Sequence, residues 1–223
     1  MTVLLVIALL AVALTIDYFL TDRLPARQRA AAVAPAPVVR PLSTVAAGFR
    51  LADGFRYHPG HTWAVAETPE LVRVGIDDFT ARVTGALSKI ALPARGQWIR
   101  QGQKIIGMTA AGHEYHLVSP VEGVVTDVNE RVLEAPDTAR NDPYGEGWLL
   151  KVNSPDFRTT ARNLFDGTLA RRWMEDAGER LRTLLGTPAM AYAQDGGLVI
   201  DDLSTVMNDE VKDRLDREFF LAG

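Results

Sequence analysis

The sequence predicts a mainly β domain with helices, preceded by one transmembrane helix and followed by C-terminal helices. Three observations support this. Residues 1–20 form an apolar run, short β-rich runs crowd residues 49–152, and the apolar period becomes helical after "NSPDF". The 223 residues leave room for one well-buried domain plus extensions.

The opening stretch, "MTVLLVIALLAVALTIDYFL", is apolar from Val3 to Ile16 apart from Thr15, and Tyr18, Phe19 and Leu20 continue the run past Asp17. At about 1.5 Å per residue, some 20 helical residues span a hydrocarbon core of roughly 30 Å. A cleaved signal peptide would show a basic start and a small-residue cleavage site, and neither is evident. Residues 1–23 are therefore expected to be an uncleaved, single-pass anchor. No Lys or Arg precedes the run, whereas Arg23, Arg27, Arg29 and Arg40 follow it. Positive flanks stay inside, so the expected place is the cell inner membrane with the soluble domain in the cytoplasm. Residues 24–48, "LPARQRAAAVAPAPVVRPLSTVAAG", are rich in Ala and Pro without a period, the composition of a semi-extended tether.

Residues 49–186 are expected to form the folded domain. "HTWAVAE", "LVRVGID", "KIALPA", "KIIGMTA", "YHLVSPV", "GVVTDVN" and "GWLLKVN" are separated by Gly, Pro, Asn and Asp, the texture of a small antiparallel sandwich or barrel. Between them, "IDDFTARVTGALS" sets Phe79, Val83 and Leu87 at helical spacing, with Asp77 and Asp78 placed to satisfy amides at a helix start. From about 160 to 185, Leu164, Leu169, Trp173, Ala177, Leu181 and Leu184 or Leu185 can share one helix face, which Gly186 and Pro188 end. The tail, 187–223, holds an amphipathic segment with Leu203, Met207, Val211, Leu215 and Phe219 on one stripe.

Composition excludes several functions. The net charge of -4 gives no electrostatic footprint for nucleic acid. With no cysteine there are no disulfides, thiolate metal ligands or Cys nucleophiles. No nucleotide-binding glycine motif and no Ser-His-Asp arrangement stands out, so no catalytic residue is assigned and the chain is read as a non-enzyme.

Several stretches within residues 54–185 resemble the H protein of the glycine cleavage system, a lipoyl carrier. They are "FRYHPGHTWA", "VRVGIDDFTARVTGALSKIALPARGQWIRQGQKIIG", "SPVEGVVTDVNE" and "NDPYGEGWLLKVNSPD", with Asp142 to Trp148 the most specific. The resemblance implies the lipoyl/biotinyl-type barrel-sandwich hybrid fold. It also implies a hairpin before the Ser-Pro turn that carries a lysine amidated by lipoate. Here that hairpin is "IIGMTAAGHEYHLVSP", and the lysine's place falls on Gly112 or His113. The only lysines of the chain are Lys89, Lys104, Lys151 and Lys212. Lys104 lies several residues upstream, and the family's cleft-side glutamate is Thr62. An amide-linked arm needs a primary amine, which neither glycine nor imidazole supplies. The lipoyl position is thus degenerate, and no cofactor is expected.

All four histidines, His58, His61, His113 and His116, fall in segments that the resemblance places on one cleft-side surface. Neutral imidazoles ligate Zn, Cu, Ni or Fe, and four could complete a tetrahedral site with Glu114 outside it. Residues three apart on a strand point to opposite faces, however, and histidines exposed on turns need no ligand. No metal is therefore assigned. The leading expectation is a membrane-tethered, non-lipoylated, H-protein-like interaction or assembly subunit of a membrane-associated complex, electron transfer being one such setting. Protein partners and the membrane are its expected contacts. Two alternatives stand beside it: a small-ligand or metal-binding module using the histidine-lined cleft, and a lipoyl carrier of one-carbon metabolism using Lys104.

Overall fold

A computed structural model describes residues 43–186 and 202–221. The expected anchor, 1–23, most of the tether and the start of the tail lie outside the described residues. Among the described residues, no helix is long and apolar enough to cross a membrane.

The described chain begins with a hairpin of β1 (Ser43–Ala46) and β2 (Phe49–Ala52). Strand structure thus already occupies the last residues expected of the tether, beyond its final proline, Pro41, where "STV" is free to pair. Six strands then form one antiparallel sheet in the order β3-β4-β5-β11-β10-β7. They are β3 (Arg56–Tyr57), β4 (Thr62–Ala66), β5 (Leu71–Ile76), β7 (Trp98–Ile99), β10 (Gly123–Val128) and β11 (Leu150–Asn153). A second sheet holds β6 (Leu87–Ala91), β8 (Lys104–Ala110) and β9 (His113–Val118) in the order β6-β8-β9. Both sheets feed one core: Val72, Val74 and Val152 from the first, Ile106, Met108 and Leu117 from the second. The mainly β expectation with helices is met.

The alternation that builds these strands is visible residue by residue. In β5, Val72, Val74 and Ile76 point inward. In β10 the inward residues are Val125 and Val128, three apart, because a bulge between Val125 and Asp127 shifts the phase. Trp63 on β4 is fully buried, and its indole N–H donates to the Ile76 carbonyl at 2.6 Å and to the Pro143 carbonyl at 3.2 Å. The facing position on β5 is Gly75, where any Cβ would run into the Trp63 ring. The Asp142–Trp148 stretch thereby locks onto the sheet. Its Tyr144 hydroxyl also accepts from the Asp78 amide (3.1 Å) and donates to the Arg50 carbonyl (2.7 Å).

Helix α1 (Asp78–Thr84) starts where the acidic pair predicts. Short helices α2 (Glu130–Glu134), α3 (Asp137–Asn141) and α4 (Phe157–Thr160) punctuate the connections. Helix α5 (Gly167–Leu185) keeps most of the expected apolar face. Its buried residues are Ala170, Met174, Ala177, Gly178 and Leu181, whereas Leu169 is 60% exposed and Leu164 precedes the helix. Trp173, Leu184 and Leu185 are half-buried against the core, so within the helix only Leu169 leaves the expected stripe, and small residues make the closest contact, as Gly178 does against Ala47. The tail stripe holds better, with Leu203, Met207, Leu215 and Phe219 buried and Val211 half-buried. It is not one helix, though. A 3-10 turn (Leu203–Val206) and helix α6 (Asp209–Phe219) are separated at Asn208, whose side chain caps α6 by accepting from the Val211 amide.

Candidate functional site

Strands β8 and β9 form the hairpin on which the carrier expectation turns. Alternation buries Ile106, Met108 and Ala110 on one strand and Tyr115 and Leu117 on the other. Ala110 pairs with His113, so the tip is the two-residue turn Ala111–Gly112. Both have positive φ, 47° and 80°, the twist that two-residue hairpins favour. Gly112 is one of the two exposed tip residues, and a Cβ there would meet nothing within 4 Å. His113, the first residue of β9, packs its ring on Tyr115 at 4.5 Å between centroids. Of the two candidate lysine positions, Gly112 is open and His113 is largely covered, and neither carries an amine.

Strand pairing shows where the lysines lie. Lys104 pairs with Val118, at the far end of the hairpin from the tip. Lys89, on the neighbouring strand β6, pairs with Thr109, two residues before Ala111. Sequence reading passed over Lys89 as a site, because its approach to the tip depends on the register of a strand some twenty residues upstream and on a bulge between Leu87 and Lys89. Both side chains are exposed. Lys212, on α6, is nearly buried with its ammonium 3.4 Å from Asp209.

The histidines do not stand as exposed turn residues, nor do they converge. His58 is buried, and its Nδ1 accepts from the Gly60 amide at 3.0 Å. Burial, and then the neighbouring His61, lowers its pKa from 6.5 to about 4. His61 has 0% exposure and a φ of 59°. Its Nδ1 lies 2.7 Å from Asp77, which also caps α1 by accepting from the Thr80 amide at 2.8 Å. Spacing along the chain could assign Asp77 to the cap but not to a histidine sixteen residues away. His113 lies 4.0 Å from Asp213 on α6. His116 is 44% exposed in its side chain, 3.7 Å from Glu114. Among the described residues, no three His, Asp or Glu side chains group as metal ligands do. Thr62, in the place of the expected glutamate, is buried and donates to the Val118 carbonyl at 3.0 Å, tying β4 to the hairpin.

Around this hairpin the environment is apolar. His61 stacks on Phe79 at 3.9 Å and lies 4.6 Å from Trp173. Burial also raises the pKa of Tyr57, Tyr115 and Tyr144, holding the three phenols neutral. Helix α6 covers the hairpin, with the Asp216 carboxylate accepting from the His116 amide at 3.0 Å. The ensemble offers a shielded imidazole–carboxylate pair and a firm hairpin without a nucleophile at its tip.

Comparison with known proteins gives a consistent picture. The family model described as glycine cleavage H-protein matches residues 55–177. The glycine cleavage system H protein of Coprothermobacter proteolyticus is 33% identical over 107 residues, which are 48% of this chain and 84% of that protein. The H protein of Bifidobacterium longum is 36% identical over 104 residues, 47% of this chain and 75% of the relative. A solved H protein from Mycobacterium marinum is similar at a TM-score of 0.49 and 24% identity, covering 57% of this chain and 99% of its own.

Proposed function

The chain belongs to the glycine cleavage H-protein family, and from that premise we propose that it is a family member without the swinging arm: a membrane-tethered, non-lipoylated interaction or assembly subunit of a membrane-associated complex. One observation supports the loss of the arm above all others. The hairpin tip is Ala111–Gly112 followed by His113, with no amine on any of the three. The scaffold around that tip is intact, from the Trp63–Pro143 lock to the Thr62–Val118 tie. A protein that keeps the scaffold and lacks the attachment point is suited to binding rather than to carrying. In this reading residues 1–23 anchor it in the inner membrane, the domain faces the cytoplasm, and its partners are proteins and not nucleic acid.

The names of the relatives favour one rival, a lipoyl carrier, in which Lys104 or Lys89 would take the modification. A lipoyl ligase acting on the Arg40–Gly223 unit, which forms one compact body, separates the two. The expected result is no modification of the unaltered chain and lipoylation of Gly112→Lys or His113→Lys. Gly112→Lys has open space but a strained φ, whereas His113→Lys has an ordinary strand backbone but starts from a largely covered side chain, so both are tried. Modification of the unaltered unit would overturn the armless reading.

A further inference from the structure

Two buried polar atoms have no hydrogen-bond partner beneath the C-terminal helix: His61 Nε2 and the Tyr115 hydroxyl. Both residues are fully buried. With a proton on Nδ1 facing the Asp77 carboxylate, the uncharged form of the His61 ring leaves Nε2 as an acceptor. Leaving such groups unmade inside a protein is costly, so each calls for an explanation. What lies beside them is Phe220, whose ring centroid is 6.3 Å from that of His61 and 5.9 Å from that of Tyr115. Phe219 lies next to it, 5.1 Å from Phe79 and 6.0 Å from His61. Two phenyl rings fill the space well, and neither can donate or accept.

The tail is held in two parts that meet at Asn208. The turn before α6 is anchored by buried Leu203 and Met207 and by Asp202 and Ser204, which press on Gly85 so closely that no Cβ fits there. Asn208 then interrupts the segment and starts a new helix. Helix α6 itself is charged along most of its length, and it grips the hairpin through Asp216 on the His116 amide and Asp213 near His113. Apart from half-buried Val211, its apolar hold is Leu215, Phe219 and Phe220.

We propose that α6 is a displaceable occupant of an aromatic cleft floored by His61, and that the cleft takes in its place a planar aromatic group carrying one hydrogen-bond donor, such as a phenol or an indole. The rings of Phe79 and Trp173 pack on His61 and hold it in place; a phenol would donate to His61 Nε2 and offer its oxygen to the Tyr115 hydroxyl, whereas an indole would supply the donor alone. This site stands independently of whether the hairpin is lipoylated.

The full chain tests it with phenol and benzene as probes. In Phe220→Ala, which opens one ring's volume, calorimetry should give about 2- to 12-fold tighter binding of phenol than of benzene, the factor one added hydrogen bond supplies. The 15N signal of His61 Nε2 should shift with phenol. His61→Asn keeps a donor for Asp77 and tolerates the positive φ but ends short of Nε2, so in the Phe220→Ala background it should abolish the preference. In the unaltered chain, phenol should speed amide exchange in 212–219 while leaving α5 protected. Equal or tighter benzene binding, no binding of either probe, a preference that survives His61→Asn, or exchange of α6 only together with α5 would each overturn the proposal.

Discussion

His58 should make the domain acid-sensitive over a defined pH window. Its imidazole is buried and accepts a hydrogen bond at Nδ1 from the Gly60 amide, so protonation both charges a desolvated ring and removes the acceptor. The native pKa of about 4 lies below the ordinary 6.5. Between these values the unfolded chain binds the proton and the folded one does not, so stability falls as pH falls. The contribution is fully present above about pH 6.5, shrinks by about 2 kcal/mol at pH 5 and by about 3 kcal/mol at pH 4. The perturbation that isolates it is His58→Asn, whose side-chain oxygen can still accept from Gly60 but does not titrate. Urea unfolding of the Arg40–Gly223 unit at pH 8 and pH 5, with and without the substitution, subtracts the carboxylates common to both. The unaltered protein should lose about 2 kcal/mol more than the variant across that interval. Equal losses, or a native His58 resonance titrating near 6.5, would show that the ring is not buried in this way.

Two further outcomes follow from packing. Tyr144→Phe removes the hydroxyl that joins the Asp78 amide to the Arg50 carbonyl and should cost about 1–3 kcal/mol in urea unfolding; a neutral effect would mean that the Asp142–Trp148 stretch does not brace α1. A fragment trimmed to 49–186, the domain expected from sequence alone, loses β1 and the tail. It should therefore unfold at lower urea than Arg40–Gly223, and an equal midpoint would show that these segments contribute nothing to the fold.

Much of the scaffold is legible in the residues, because it depends on local patterns. The α1 start at Asp77–Asp78, the alternation of Val72, Val74 and Ile76, and the tail stripe through Phe219 all follow from spacing. On α5, Ala177 and Leu181 lie where spacing puts them, but Leu169 is exposed and the contact is completed by Ala170 and Gly178, which bury little surface and give a weak apolar signal. The lack of an amine at the hairpin tip is likewise plain in the sequence. What was hidden depends on register and long-range pairing. His61 meets Asp77 only after β4 pairs with β5, and Lys89 nears the tip only through β6 and β8. No local pattern signals that Phe220 closes over the buried His61 and Tyr115.

Whether the family's arm has been lost comes down to the lysines of the mature protein. Intact-mass measurement of the full chain, isolated from its own cells grown with lipoate, followed by peptide mapping across Lys89 and Lys104, tests this most directly. The armless account predicts no lipoyl adduct on any lysine. A mass increase matching one amide-linked lipoyl group, localised to Lys89 or Lys104, would contradict it and restore the protein to the carriers.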